Sequence, residues 1–176
     1  MKFVPAELPG AWIIEPEFQR DDRGAFARVW CAQEFLQHGL DASLVQCNIS
    51  INHRRGTVRG MHFQRPPHAE TKLVRCTRGA IWDVIVDLRP DSTTYCRWNA
   101  CELSAENHRA LYIPAGFAHG FQALTDAAEV HYQMSCEYHA ASADGIRWND
   151  PAINIAWPLA ITSISERDCQ WPDFIC

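Results

Sequence analysis

The sequence lacks the features that mark membrane, secreted and nucleic-acid-binding proteins. It has no apolar run long enough to cross a bilayer, and its first residues lack the apolar core of a secretion signal. It also lacks a basic excess, because 16 Lys and Arg stand against 21 Asp and Glu, so we expect no nucleic acid as a partner. We expect a cytoplasmic protein that binds no membrane, with residues 1–176 forming one domain.

Paired cysteine motifs are also absent. The eight cysteines include no CxxC pair and no zinc-finger spacing. Because no secretion signal is evident, most of them are expected to be reduced and to pack as small apolar residues. Cys47, Cys76 and Cys136 lie within apolar stretches, so these three are predicted to be buried.

What the sequence does contain is a series of short apolar stretches bounded by turn residues. From residue 44 onward this series is typical of an all-β sandwich or barrel. The predicted strands span residues 12–14, 25–30, 44–51, 57–64, 70–77, 80–88, 95–103, 110–113, 120–124 and 129–136. Two short helices are predicted, one over Cys31–His38 that Gly39 ends, and one that begins after an N-cap at Ser165.

One stretch places acid–base side chains on neighbouring strands. Residues 59–64 have the sequence Arg-Gly-Met-His-Phe-Gln, and Lys72 lies on the next predicted strand. Side chains alternate along a strand, so His62 and Gln64 are expected on one face and Arg59 on the other, unless a bulge re-aims one of them. A histidine and a half-buried lysine in one pocket suit proton abstraction beside a carbonyl, because the cation stabilises the charge on oxygen. The alternative is a core histidine and a surface lysine.

A second stretch is similar to part of a known metal-binding fold family. Residues 114–119 have the P-x-G-x-x-H spacing of the second cupin motif. Gly56 and His62 match the start of the first cupin motif, but Gln64 stands where a second metal-binding histidine is expected. The resemblance implies a cupin-type barrel, and His62 and His119 without a suitably spaced carboxylate imply no metal. As an alternative, His119 is a structural turn residue.

Seven stretches, spread in order over nearly the whole chain, define a more specific pattern. They are Asp22–Phe26, Gln46–Ser50, Arg59–Gln64, Lys72–Val74, Asp83–Arg89, Pro114–Phe121 and Trp148–Pro151. In this pattern the sequence resembles the dTDP-4-dehydrorhamnose 3,5-epimerase family. The resemblance implies an all-β, cupin-type double-stranded β-helix (jelly-roll barrel) with short N- and C-terminal helices. It also implies a homodimeric isomerase, without metal or cofactor, that epimerises carbons 3 and 5 of a nucleoside-diphosphate 4-keto-6-deoxyhexose in deoxysugar biosynthesis.

The resemblance implies catalytic roles for four side chains. His62 would remove the proton next to the ketone, and Tyr132 would return one from the opposite face. Lys72 would stabilise the enolate oxygen, and Asp168 would orient His62. No cofactor is needed, because the ketone of the substrate accepts the electrons. From the residues alone, Tyr132 would also suit packing in an apolar strand, and Asp168 would suit a capping box with Ser165.

The resemblance also implies which residues bind the substrate. Arg23, Arg59 and His119 are similar to the family's contacts with the diphosphate and the sugar, and Arg23 would reach the neighbouring subunit's site. The remaining predicted contacts, mainly on the nucleotide side, are Phe26, Arg28, Gln46, Asn48, Tyr138 and Arg167.

Three positions depart from the family pattern. Arg28 and Ala143 stand where the family commonly has glutamate, and Arg167 replaces a lysine. A cation in place of a carboxylate changes the hydrogen-bond demand from acceptor to donor. We therefore hypothesise that the nucleotide or the sugar differs, with a CDP- or GDP-linked 4-keto sugar as the alternative to a dTDP-linked one.

Other activities stay open on the sequence alone. Within the family, the alternatives are epimerisation at one carbon only and 3,4-ketoisomerisation. A metal-dependent cupin is a further alternative, against which Gln64 argues. A non-catalytic sugar-binding cupin is the last, and the combination of His62, Lys72 and Tyr132 argues against it.

Overall fold

Strands make up most of the fold, as the spacing of apolar stretches predicts. The computed structural model describes residues 1–176 and contains thirteen strands and two helices. The strands are β1 (Lys2–Pro5), β2 (Trp12–Glu15), β3 (Gln19–Asp21), β4 (Gly24–Phe26), β5 (Gln46–Asn52), β6 (Val58–Gln64), β7 (Lys72–Arg78), β8 (Ala80–Asp87), β9 (Trp98–Ser104), β10 (Ala110–Ile113), β11 (Phe117–Ala123), β12 (Ala128–Met134) and β13 (Ala143–Gly145). The helices are α1 (Ala32–Gln37) and α2 (Glu166–Cys169).

Two sheets pack face to face and form the barrel. One has six strands in the order β1-β2-β10-β7-β12-β5, and the other has five in the order β13-β6-β11-β8-β9. Strands β3 and β4 form a separate hairpin. The core between the sheets contains buried side chains from both of them, including Val74 and Leu111 from one and Ile85 and Phe121 from the other. The expected cupin-type jelly-roll fold is therefore confirmed.

The outer face of the five-stranded sheet is covered as well. Met61 and Val86 pack there against Ile146, which belongs to the C-terminal segment formed by residues 146–176. Farther along this segment, α2 lies against β6. The end of the sequence is thereby brought next to the stretch that carries His62.

Both predicted helices are present. Gly39 follows α1 with a backbone φ of +70°, a conformation that favours glycine. Ser165 precedes α2, and its Oγ accepts a hydrogen bond from the Asp168 backbone N–H at 3.1 Å, as expected for an N-cap. Neither helix is both long and apolar enough to span a membrane.

The cysteines differ in part from what the sequence predicts. Cys76 is buried, but Cys136 is only half-buried and Cys47 is exposed. The prediction for Cys47 is wrong because its strand, β5, is an edge strand whose outer face the chain does not cover. Six cysteines are free, as expected for most of them, whereas Cys96 and Cys176 form a disulfide that the sequence did not indicate.

The strand predicted over residues 25–30 is shorter than expected. It ends at Phe26, because β4 pairs only with β3 and that pairing stops at Gln19 and Phe26. Beyond this point the backbone has no partner strand.

A register shift between β6 and β11 changes which side chains face the barrel interior. His119 pairs with His62, but Phe121 pairs with Arg59, so β6 has one extra residue over this interval. The prediction that Arg59 faces away from His62 is therefore wrong, because the shift turns both towards the same cavity. Gly120 allows the strands to approach, since a Cβ on it would lie 2.6 Å from Met61 Sδ and 2.7 Å from the Arg59 carbonyl oxygen.

We predict that Gly120→Ala destabilises the fold by about 3 kcal/mol, the upper end for overpacking, because its Cβ would meet backbone that cannot move aside. Gly39→Ala is the matched control, because open space surrounds it and only its positive φ opposes a side chain, at roughly 1–2 kcal/mol. Urea unfolding of both variants measures the difference. Equal losses of stability would contradict the close approach of β6 and β11.

Candidate active site

A cavity of about 460 Å³ opens into the barrel and collects most of the residues predicted for the site. It is lined mainly by side chains from β5, β6, β7, β11 and β12. The predicted residues that line it are Gln46, Asn48, Arg59, His62, Lys72, His119, Tyr132, Tyr138 and Arg167. Sequence stretches as far apart as Gln46 and Arg167 therefore meet at one place.

His62 is fixed from behind by a buried carboxylate. Its Nε2 lies 2.6 Å from Asp168 Oδ1, while Asp168 Oδ2 accepts a hydrogen bond from the Gly60 backbone N–H at 3.2 Å. The Asp168 side chain thus reaches β6 and does not close a capping box with Ser165. This contact between α2 and β6 sets the orientation of the imidazole.

The protonation state of Asp168 determines which nitrogen of His62 can act as a base. Burial raises the pKa of Asp168, but the hydrogen bond and the charge attraction with His62, together with hydrogen bonds from Gly60 and Ser165, outweigh it, and the pKa lies below its usual value. An ionised carboxylate only accepts hydrogen bonds, so Nε2 carries a proton. In neutral His62 the lone pair is therefore on Nδ1.

Lys72 lies in a half-closed corner of the cavity with its ammonium group between two acceptors. Its Nζ donates to the His62 carbonyl oxygen at 3.3 Å and forms an ion pair with Glu70 Oε1 at 2.9 Å. Both side chains are only 10% exposed. A compact cation held this close to His62 suits the stabilisation of negative charge on a nearby ligand oxygen.

Tyr132 lies on β12 and presents its phenol to the same cavity. Burial raises the pKa of Tyr132 above its ordinary value, although a hydrogen bond with Ser50 lowers it. The phenol is therefore protonated at neutral pH and can donate a proton. This arrangement differs from simple core packing, in which the ring would not border the cavity.

His119 is bound to a carboxylate that the sequence analysis did not connect with it. Its Nε2 lies 2.8 Å from Asp83 Oδ1, and both side chains are buried. The other oxygen of Asp83 is also buried and has no hydrogen-bond partner. A carboxylate inside the apolar strand 80–88 requires a partner, so the sequence indicated that Asp83 is paired but did not identify His119 as the partner.

Gln64 occupies the position where the cupin pattern has a metal-binding histidine, and four protein groups surround its amide. Its Nε2 lies within hydrogen-bonding distance of Glu70 Oε2 and of the carbonyl oxygens of His68 and Glu137, at 3.0 and 3.1 Å for the latter two, so these three acceptors share its two N–H groups. Its Oε1 accepts from the His139 backbone N–H at 2.6 Å. The absence of a metal from the working enzyme stays a prediction.

Besides Asp168, which contacts His62 but is not part of the cavity lining, three predicted residues do not line the cavity of their own chain. Arg23 and Phe26 lie on the β3–β4 hairpin, where Phe26 is 73% exposed and Arg23 pairs with Asp21. Arg28 forms an ion pair with Glu34 at 2.7 Å. The hairpin pairs with neither sheet, which leaves these side chains away from the barrel opening.

The sequence analysis also missed residues that do line the cavity. They are Phe63, Glu70, Phe121, Met134 and Asp144, with Gln64 noted only as a missing metal ligand. Glu70 could have been predicted from the sequence. It lies two residues before Lys72, so in a strand the two side chains would point to the same face.

Comparisons with known proteins agree with this arrangement. A family model for dTDP-4-dehydrorhamnose 3,5-epimerase matches residues 5–175. A dTDP-4-dehydrorhamnose 3,5-epimerase from Methanothermobacter thermautotrophicus is 46% identical over 173 residues, covering 97% of this chain and 92% of its own. A crystal structure of the enzyme so named from Elizabethkingia anophelis has a TM-score of 0.95 at 39% identity, covering 99% of this chain and 96% of that one. Another, from Bacillus anthracis with TDP and PPi bound, has a TM-score of 0.93 at 41% identity, covering 98% and 99%.

The jelly-roll fold, the acid–base side chains in its cavity and these relatives define a cupin-type isomerase. More particularly, the chain belongs to the dTDP-4-dehydrorhamnose 3,5-epimerase family. The resemblance carried by the seven sequence stretches is thereby confirmed.

We predict that Asp168→Asn lowers the stability at pH 7 by about 1.5–3 kcal/mol, the range for a hydrogen bond to a charged group. The folded-state pKa of Asp168 lies below its usual value, so its contribution is present above the unfolded-state pKa of about 3.9 and is lost as the pH falls through the folded-state pKa. The difference between wild type and variant should therefore shrink in acid. Urea unfolding at several pH values measures it.

Asp91→Asn is the control for this experiment, because Asp91 is exposed in a turn. It should leave the stability unchanged at every pH. A stability difference for Asp168→Asn that stays constant down to strongly acidic pH would contradict an ionised Asp168 bound to His62.

Proposed function

We propose that this chain epimerises carbons 3 and 5 of a nucleoside-diphosphate 4-keto-6-deoxyhexose, of the dTDP-4-dehydro-6-deoxyglucose type, in deoxysugar biosynthesis. The observation that supports this most directly is the meeting of His62, Lys72 and Tyr132 in one cavity, with Asp168 bound to the imidazole. A base, a cation and a protonated phenol are the three groups that inversion beside a ketone requires.

The proposed reaction at each carbon has two proton transfers. His62 Nδ1 removes the proton from the carbon next to the ketone, and the electron pair moves to the ketone oxygen, where Lys72 Nζ stabilises it. The Tyr132 phenol then donates its proton to the opposite face of the same carbon, which restores the ketone and inverts the centre. His62 and Tyr132 return to their starting states by exchange with solvent. The ketone itself takes up the electrons, so the proposal includes neither cofactor nor metal.

The charges of the cavity support a diphosphate-bearing substrate. Three basic side chains are each matched by one carboxylate, as His62 with Asp168, Lys72 with Glu70 and His119 with Asp83. Arg59 and Arg167 also line the cavity but form no ion pair. Arg59 donates to Asn52 and the Ile51 carbonyl oxygen, and Arg167 lies over the Trp171 ring at 5.1 Å. Two guanidinium groups without carboxylate partners suit the diphosphate.

The nucleoside would lie towards Gln46, Asn48 and Tyr138, which line the cavity beside Arg59 and Arg167. The binding of TDP by the Bacillus anthracis relative supports a thymidine nucleotide. Arg28 is bound to Glu34 outside the cavity of its own chain, so its departure from the family pattern does not change this cavity directly. A CDP- or GDP-linked sugar remains the alternative.

We also propose a homodimer in which the β3–β4 hairpin of one subunit reaches the cavity of the other. The outer face of β5 exposes Ile49 and Ile51, at 61% and 56%, and Phe26 on the hairpin is 73% exposed. Large apolar side chains exposed on an unpaired edge strand favour contact with another chain.

Two further expectations stay predictions. They are that residues 1–176 form one domain and that the protein is cytoplasmic.

We predict that the wild-type protein, incubated with dTDP-4-keto-6-deoxyglucose in heavy water, introduces deuterium at carbons 3 and 5. His62→Asn should slow this exchange by at least about 10²-fold, because the base is lost. His53→Asn, an exposed histidine outside the cavity, should exchange like the wild type. NMR spectroscopy of the sugar measures the labelled positions, with CDP- and GDP-linked sugars tested in parallel.

If deuterium appeared at only one of the two carbons, the chain would be an epimerase that acts at a single centre. Faster exchange with a CDP- or GDP-linked sugar would show that the natural substrate carries that nucleotide and not dTDP. No label with any of the three substrates would refute the proposed function.

For the dimer, we predict that two inactive variants restore activity when they are mixed and refolded together. Arg23→Ala supplies an intact His62, and His62→Asn supplies an intact Arg23, so a mixed dimer has one complete site if Arg23 acts across the interface. Random pairing then gives roughly a quarter of the wild-type activity. Each variant refolded alone is the control, and a mixture as inactive as its components would show that Arg23 does not act in the partner's site.

A further inference from the structure

A carboxylate that the proposed mechanism does not use forms an ion pair with Lys72. Glu70 Oε1 lies 2.9 Å from Lys72 Nζ, and the same Nζ lies 3.3 Å from the His62 carbonyl oxygen. An ammonium group has three N–H donors. Two of them are directed at these fixed acceptors, so the third is left for an oxygen in the cavity.

Glu70 is oriented in turn by Gln64, whose amide has a single possible orientation. The carbonyl oxygens of His68 and Glu137 lie beside its Nε2, and the backbone N–H of His139 points at its Oε1. Rotating the amide by half a turn would place an oxygen against two carbonyls and an NH₂ group against an N–H. Gln64 therefore presents its NH₂ group, and not its oxygen, to Glu70 Oε2, which shares the two N–H groups with the two carbonyl oxygens.

Only a carboxylate at position 70 satisfies both neighbours. One of its oxygens accepts from Lys72 and the other from Gln64, whereas a glutamine has one acceptor and one donor group. A glutamine would direct its NH₂ group at either the Lys72 ammonium or the Gln64 amide. Such a contact sets two donors against each other in a half-buried place and leaves one of them without the carboxylate oxygen that it now has, which is costly.

We propose that Glu70, held by Gln64, is a positioning residue that aims the third N–H of Lys72 at the ketone oxygen. This inference rests on the role of Lys72 in the proposed function. The cupin pattern has a metal ligand at position 64. Here the Gln64 amide at that position holds Glu70, which in turn fixes the Lys72 ammonium. Glu70 also offsets part of the Lys72 charge, so it improves the aim of the cation at the cost of attraction for an anionic substrate.

These two effects predict a separation of kcat from KM. In Glu70→Gln, kcat should fall about 10- to 100-fold, because a misplaced cation stabilises the enolate poorly. KM should stay the same or fall, because the cavity gains positive charge. Glu106→Gln is the matched control, since Glu106 is exposed in the turn between β9 and β10 and should leave both constants unchanged.

A double-mutant cycle tests whether Glu70 acts through Lys72. Adding Glu70→Gln to Lys72→Met should reduce kcat by no more than about twofold further, because the cation to be aimed is already gone. The same 10- to 100-fold loss in both backgrounds would overturn the inference, and so would a wild-type kcat in Glu70→Gln. Thermal unfolding and dTDP binding show that each variant is folded.

A crystal structure of Glu70→Gln tests the placement independently of turnover. Lys72 Nζ should leave its contact with the His62 carbonyl oxygen, and an ammonium that stays in place would overturn the inference. If wild type and Glu106→Gln alike exchange no substrate protons, the proposed function fails, whereas this structural result still decides whether Glu70 positions Lys72.

Discussion

The hydrogen bond between His62 and Asp168 is the contact on which the rest of the site depends. The two residues are 106 positions apart, and Asp168 also binds the backbone N–H of Gly60, so one carboxylate fixes both the imidazole and the strand that carries it. The helix that supplies Asp168 has a single turn, which Ser165 caps. It is held in place because the C-terminal segment packs over the outer face of the five-stranded sheet. Burial of a surface outside the barrel therefore determines the geometry inside it.

Much of the fold could be predicted from the sequence, because most strands are short apolar stretches between turn residues and because seven sequence motifs, in order along the chain, match one family. The same match placed His62, Lys72 and Tyr132 in one cavity, which periodicity alone would not have done. Asp168 shows the difference. Its spacing from Ser165 suits a capping box, yet its carboxylate lies against a strand that is distant in sequence. Only the family pattern indicated that contact.

Features that depend on which strands lie side by side could not be predicted. The direction of Arg59 follows from a register shift where β6 approaches Gly120 of β11, and the local sequence of β6 does not reveal that shift. Likewise, the pairing of Asp83 with His119 requires β8 and β11 to be neighbours. Arg23 and Phe26 lie on a hairpin that pairs with neither sheet, so the fold of one chain does not bring them to its own cavity. In and beside the cavity, three carboxylates each bind one basic side chain, namely His62, Lys72 or His119. Arg59 and Arg167 form no ion pair and are left for a ligand.

The proposed epimerisation requires His62 and Tyr132 to face the sugar ring from opposite sides. It also requires that His62 binds no metal. A crystal structure with a dTDP-linked 6-deoxy-4-keto sugar in the cavity measures this most directly. We predict His62 Nδ1 near carbons 3 and 5 on one face of the ring, the Tyr132 phenol on the other face, and Lys72 Nζ at the ketone oxygen. Both side chains on the same face, or a metal ion bound between His62 and His119, would contradict it.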